Sequence, residues 1–166
     1  NEFRSTDLPE LAFLPSLRVL DLSGNYITNL MDLPFLPDLV TFSIAFNSID
    51  TVAGIAESLP DLQMLDIRGN NIREATGLND LISLPSLSQL FMQSKRNQNP
   101  VCGPLSGDES NRDDIESLFQ VFVKCAALVA IDGQGVQAWY HAMSSKEDST
   151  MQTLVRSTRH TRDDND

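Results

Sequence analysis

Apolar residues in the first hundred positions fall in clusters of one shape. Leu17, Leu20, Leu22 and Ile27 form the first, Leu39, Phe42, Ile44 and Ile49 the second, and Leu62, Leu65, Ile67 and Ile72 the third. The middle pair of each cluster is separated by one polar residue: Asp21, Ser43 or Asp66. Residues two apart on a strand point to the same side. Each cluster therefore predicts a short strand with Leu20/Leu22, Phe42/Ile44 or Leu65/Ile67 turned inward. A fourth cluster, Leu87, Leu90 and Met92, keeps the inward pair. The leading leucines stand 22, 23 and 25 residues apart.

Three copies share an asparagine eight positions after the leading leucine: Asn25, Asn47 and Asn70. An asparagine turned inward where a strand bends away can satisfy backbone groups that the bend leaves unpaired, giving a ladder from copy to copy. The fourth copy has Lys95 in that place. Ser94 to Gln98 then reads as a bulged insertion where repetition ends. Between the copies, residues 30–37, 52–60 and 75–85 carry apolar residues three or four apart and end on Pro37, Pro60 and Pro85. That spacing predicts a short helix or 3₁₀ turn, stopped before the next strand. Leu8, Leu11 and Leu14 with Pro15 suit the end of an earlier segment of this kind.

The pattern L-x-x-L-x-L-x-x-N-x-L, with three spaced copies, resembles the leucine-rich repeat. The short repeats and leucine–proline ends resemble the intracellular class named after a regulatory subunit of protein phosphatase 1. The resemblance implies an α/β solenoid. Short parallel strands would line a concave face, with helices or 3₁₀ turns on the convex face and a C-terminal helical cap.

The chain changes character after Cys102. Gly103 to Asn111 is polar and turn-rich, hence a loop. Ser110 and Asp113 have capping-box spacing. Ile115, Leu118, Phe119, Phe122 and Val123 make one apolar stripe, predicting an amphipathic helix over about 112–126. Leu128 to Gly133 repeats the start of a strand and stops. Asn99-Pro100-Val101 before the helix and Ile131-Asp132-Gly133 after it resemble the C-terminal cap of intracellular leucine-rich repeat proteins. Acidic nuclear phosphoproteins, the A-prime protein of a spliceosomal particle, mRNA-export receptors and axonemal proteins share that cap. Val136, Trp139, Tyr140 and Met143 continue with helical spacing, suited to packing on the cap. Ser144 to Thr150 reads as a linker, and Arg156 to Asp166 as a charged segment with too little apolar surface to fold alone. The expected organisation is repeats over 1–101, a cap over 102–135 and a helical or disordered tail over 136–166.

Charge narrows the partners. Lys plus Arg number 12 and Asp plus Glu 23, a net −11. Such a chain repels phosphate backbones, so no direct nucleic-acid contact is expected. No apolar run approaches the ~18 residues of a membrane span. Two cysteines, Cys102 and Cys125, form neither a disulfide framework nor a zinc cluster, which fits a reduced, intracellular protein. The chain starts directly before a repeat, as a piece of a longer protein would.

No enzyme signature appears. His141 and His160 both lie beyond the repeats, so no triad can form among them. Gly133-Gln134-Gly135 leads no phosphate-binding loop. Asp113, Asp114 and Glu116 suit a solvated helix start better than a metal site. No cofactor, metal or small-molecule substrate is expected.

Function is then expected on surfaces, namely the alternate strand residues facing outward. Val19 and Asp21, Ser43, Met64, Asp66 and Arg68, and Gln89 and Phe91 are the candidates, with Phe46 at the edge. Val19, Met64, Phe91 and Phe46 offer apolar anchors, and Asp21 and Asp66 offer carboxylates to a basic side chain. Singly scattered surface apolars are the bland alternative. The expectation is a non-enzymatic interaction module or scaffold holding a helix or peptide of a protein partner. The resemblance also allows a component of a splicing or mRNA-export ribonucleoprotein, or a ciliary or cytoskeletal scaffold.

Overall fold

A computed structural model describes residues 2–93 and 111–143, with the side chains of 111–114 left aside. Each repeat supplies one strand: β1 Val19–Asp21, β2 Thr41–Ser43, β3 Met64–Asp66 and β4 Gln89–Phe91. β5 Ala130–Ile131 and β6 Gln134–Gly135 complete a sheet whose six strands follow chain order. β1 to β5 are parallel, and β6 turns back antiparallel. Asp132 and Gly133 make that reversal with φ of 51° and 78°, the positive values a two-residue hairpin of the Asp-Gly kind demands.

The carbonyl just before each strand ties the repeats together by accepting two amides of the next one. Arg18 O takes Val40 and Thr41 N–H at 2.9 and 3.0 Å, and Val40 O takes Gln63 and Met64 N–H at 2.9 and 3.0 Å. Ser88 O takes Val129 and Ala130 N–H at 2.9 and 3.1 Å. The truncated motif at Leu128 is thus a fifth rung of the same ladder.

Inward residues build one core. Phe42, Ile44, Leu65, Ile67, Leu90 and Met92 are fully buried. Leu20 is only partly buried, because β1 is the first strand of the sheet and has a neighbour on one side alone. The connecting segments close the core from the other side through Leu30, Leu36, Ile55, Leu59, Leu78 and Leu81. They take three forms: 3₁₀ helix over Ser5–Phe13 and Ala75–Ser83, a single α-turn in α1 Ile55–Ser58, and turns alone over residues 30–37. Of the two forms expected, that last segment takes the turn: Leu33 N–H bonds Leu30 O at 3.0 Å. There the Leu36 N–H bonds Ser58 O of the next repeat at 2.8 Å, whereas the aligned Leu14 N–H bonds Leu11 O within its own segment at 2.9 Å.

α2 spans Asn111–Lys124 and packs against the 3₁₀ segment Ala75–Ser83. Its buried face is Ile115, Leu118, Val121, Phe122 and, just past its end, Cys125. Val123, expected in the stripe, is 57% exposed. The face is rotated toward Val121 because the 3₁₀ segment, not the helix alone, decides which side is covered. Residues 136–143 are helical. Trp139 and Met143 are buried in the same core as the repeats. Trp139 meets Phe122 edge-on at 5.3 Å, and Tyr140 stacks on Phe119 at 4.1 Å. Residues 136–143 therefore join the core that residues 111–135 share with the repeats. Among the described residues, no helix is long and apolar enough to cross a membrane. The expected loop, the insertion with Lys95 and Arg96, Asn99-Pro100-Val101, the capping box at Ser110 and the segment after residue 143 lie outside the described residues.

Candidate functional site

Strand register assembles the outward face row by row. Val19, Thr41, Met64, Gln89 and Ala130 form one row, and Asp21, Ser43, Asp66 and Phe91 the next. Candidates up to 70 positions apart in the chain share a row, with one strand spacing of roughly 4.8 Å between adjacent members. Val19 is 64% exposed; Met64 and Phe91 are half-buried, and Gln89 is exposed.

The charged candidates differ from one another. Asp66 is already paired: the Arg68 guanidinium bonds both carboxylate oxygens, with Nε at 2.9 Å from Oδ1 and 3.1 Å from Oδ2. Arg68 also lies over the Phe91 ring, 5.5 Å from its centroid. The hydrogen bonds from Arg68 to Asp66 raise the guanidinium further above its ordinary value, so it stays charged. Asp66, Arg68 and Phe91 thus form one prearranged cluster, and Asp66 is not the unpaired acid that the sequence suggested. Asp21 at the other end of the row bonds Ser23, accepting its backbone N–H at 2.9 Å. Those bonds hold its carboxyl below the usual carboxylate range. Ser23 and Ser43 share a hydroxyl–hydroxyl bond of 2.6 Å between β1 and β2. The face is therefore negative at Asp21, neutral at Ser43, and internally matched and aromatic at Arg68 and Phe91.

Phe46 stands at the edge with φ of 56°, in the left-handed region. The equivalent residues of the first and third repeats are Gly24 and Gly69, with φ of 67° and 65°. An aromatic residue occupies a site where its neighbours use glycine, and its ring is 46% exposed.

The asparagines lie beneath this face. Asn47 is buried; its Oδ1 accepts Ile27 N–H at 2.9 Å, and its Nδ2 donates to Leu22 O at 2.9 Å and Ile44 O at 3.0 Å. Asn70 repeats this one unit on, with Ile49 N–H, Ile44 O and Ile67 O. Asn25 reaches Phe3 N–H and Leu22 O but is only half-buried.

Sequence reasoning placed Asp132 in the exit motif of the cap but gave its side chain no partner. One of its oxygens accepts Met92 and Gln93 N–H at 2.8 and 3.0 Å, and the other accepts the Trp139 indole at 3.3 Å. Like the asparagines it satisfies backbone amides of the preceding repeat, but as a carboxylate it only accepts and makes none of their bonds to carbonyls. The available signal was the Asp-Gly turn directly after a repeat-like strand. Among the described residues, no three His, Cys, Asp or Glu side chains converge as metal ligands would.

A parallel sheet carrying this repeated motif defines a leucine-rich repeat fold. A family model described as leucine rich repeat matches residues 15–72. The U2 small nuclear ribonucleoprotein A' of Emericella nidulans is 35% identical over 85 residues, covering 51% of this chain and 35% of that protein. The probable U2 small nuclear ribonucleoprotein A' of Drosophila melanogaster is 29% identical over 96 residues, covering 55% of this chain and 36% of that protein. The chain spans about a third of the length of these relatives. The crystal structure of the Drosophila melanogaster SNF/U2A' complex matches with a TM-score of 0.60 and 22% identity, over 86% of this chain and 78% of the other. At that identity the likeness is one of fold.

Proposed function

We propose that this chain is a non-enzymatic protein-interaction scaffold: a short intracellular leucine-rich repeat solenoid, closed by a C-terminal cap, that holds a helix or peptide of a protein partner. Its concave face is the outward side of the sheet. The observation that carries this reading is the alignment of Val19, Met64 and Phe91 with Asp21, Ser43 and the Asp66–Arg68 pair on one face, with Phe46 at the rim. Apolar anchors beside fixed charges make a docking surface. The short repeats ending in leucine–proline support the class named after the protein phosphatase 1 regulatory subunit. The fifth rung at Ala130, α2 and the helical residues 136–143 support the cap. Arg68 is spoken for by Asp66, so Asp21 is the carboxylate left to meet a basic partner side chain.

A second reading is favoured by the relatives. The chain would be a component of a splicing ribonucleoprotein, with a protein like SNF on its concave face and RNA held by that partner rather than by this acidic chain. Purified Drosophila SNF protein serves as the probe. Binding by the wild type and its loss in Met64→Glu/Phe91→Glu, with the far-ultraviolet circular dichroism unchanged, would support the concave site. Equal binding by both proteins would defeat it. An RNA titration of the chain alone, at low and high salt, tests direct contact; affinity that falls steeply with salt would show phosphate binding and overturn the protein-only arrangement.

A further inference from the structure

The connecting segments carry apolar surface that neither the core nor the sheet face uses. Segments 8–17 and 30–39 align residue for residue, 22 positions apart. Leu17 N–H bonds Leu14 O at 3.1 Å, and Leu39 N–H bonds Leu36 O at 3.2 Å, so the two segments end on the same turn. Phe13 and Phe35 therefore occupy the same position on adjacent repeats. They are 84% and 64% exposed, and Met31, four residues before Phe35, is 70% exposed. The next repeat places Ser58 there, buried and bonded to Leu33 O at 2.8 Å. Single exposed apolar residues are ordinary. Two phenylalanines at one aligned position of adjacent repeats, with an exposed methionine four residues before the second, concentrate apolar surface on these segments, and such surface marks contact sites.

Charge indicates the occupant. Residues 19–67 hold seven acidic residues and neither lysine nor arginine. Three residues after Phe35 and Ser58, just past Pro37 and Pro60, stand Asp38 and Asp61, again one per repeat. They line a groove of about 510 Å³ together with Arg18, Gln63 and Ser86. Among the described residues, neither aspartate forms an ion pair. Glu10 and Asp32, both exposed, lie beside the patch in sequence. Arg18 is the one cation lining the groove. Apolar surface bordered by unpaired carboxylates fits a segment whose apolar residues alternate with lysine or arginine.

We propose that Phe13, Phe35 and the groove of Asp38 and Asp61 form a second docking surface, separate from the sheet face, for a lysine- or arginine-bearing amphipathic segment of a protein partner. Its aliphatic or aromatic residues cover the two phenylalanine rings, and its cations reach Asp38 and Asp61. This surface stands independently of the concave site, because no residue is shared between the two.

The test uses a fluorescently labelled 18-residue amphipathic peptide of leucine and lysine at helical spacing, with a leucine–glutamate peptide as its control. Fluorescence anisotropy is expected to show binding of the lysine peptide alone. Phe13→Ser/Phe35→Ser should weaken it at least about tenfold, and Asp38→Asn/Asp61→Asn by a similar factor at low salt. Met64→Glu, on the sheet face, should leave it unchanged. All four side chains are solvent-facing, so thermal melts should confirm that the variants fold. The proposal fails if the lysine peptide does not bind, if both double variants bind like wild type, or if Met64→Glu alone removes binding. It fails also if light scattering shows a dimer that Phe13→Ser/Phe35→Ser dissociates, since the patch would then belong to a second copy.

Discussion

Asp132 accepts the indole N–H of Trp139 at 3.3 Å while its other oxygen holds the amides of Met92 and Gln93. One carboxylate thus joins the last full repeat to the C-terminal helical residues, bridging 40 positions of sequence on one side and seven on the other. Asp132→Asn keeps one carbonyl oxygen for the two amides but turns an NH₂ toward the indole, a donor facing a donor. We expect a loss of roughly 1–3 kcal/mol, read by denaturant unfolding with Trp139, the sole tryptophan, as reporter. In a Trp139→Phe background, followed by circular dichroism, the same change should cost less, because the clash is gone.

The same group sets a pH dependence. Burial raises the Asp132 carboxyl above its ordinary value, against the lowering effect of its three donors. A group whose folded pKa exceeds its unfolded one binds its proton more tightly in the folded state. Its contribution is full below the unfolded value and is lost as pH rises through the folded one. Asparagine has no such titration. The stability of the wild type relative to Asp132→Asn should therefore fall as pH rises from below 3.8 to above the raised value. Paired urea titrations across that range check it; a difference that grows with pH would show that the hydrogen bonds outweigh the burial.

The asparagines should rank by burial. Asn47→Ala orphans the buried Ile27 N–H and two buried carbonyls, Leu22 and Ile44, and should cost about 3 kcal/mol. Asn70→Ala should match it. Asn25 is half-buried, so water can replace what it supplies, and Asn25→Ala should cost about 1 kcal/mol. Unfolding free energies of the three variants give the order directly, and a cost at Asn25 equal to that at Asn47 would show that exposure does not relieve the loss.

Local periodicity made the strands and ladder legible. Leu20 and Leu22, or Leu65 and Ile67, need only a period of two, and Asn47 repeats at fixed spacing. Features decided by distant partners were not legible. Val121 rather than Val123 faces the core because the 3₁₀ segment covers that side of α2. Residues 30–37 carry helical spacing, yet form turns alone, with the Leu36 amide taken by Ser58 O of the next repeat. On the sheet face, period two placed Asp66, Arg68 and Phe91 together, but not the pairing that consumes the Asp66 charge. Asp132 reaches back 40 positions to Met92, and the Asp-Gly turn beside it marks a strand end without naming that partner.

Cys125 should be chemically silent. Its thiol is buried and donates to Val121 O at 3.4 Å, and burial pushes its pKa up to about 11. The thiolate is the reactive form. In a Cys102→Ser background, iodoacetamide at about pH 8 should leave Cys125 unmodified in native protein and label it fully in denaturant. Mass spectrometry reads both states. Rapid native labelling would mean that this corner of the core opens readily.

Phe46 poses the sharpest contest between stability and contact. Gly24 N–H bonds Ala45 O at 2.8 Å, and Phe46 N–H bonds Arg68 O at 2.8 Å, so both residues are pinned in the same left-handed turn. Glycine adopts that conformation freely, whereas an L side chain there costs about 1–2 kcal/mol. The ring recovers little, being 46% exposed. Phe46→Gly should therefore raise stability by about 0.5–1 kcal/mol, after the extra unfolded-state entropy of glycine is subtracted. If the rim of the sheet face docks a partner, the same variant should bind it at least about tenfold more weakly, the cost of removing an aromatic anchor. Denaturant midpoints and SNF-protein titrations on one pair of proteins settle both halves. Gain of stability with loss of binding identifies the strain at Phe46 as serving recognition; unchanged binding removes Phe46 from the docking surface.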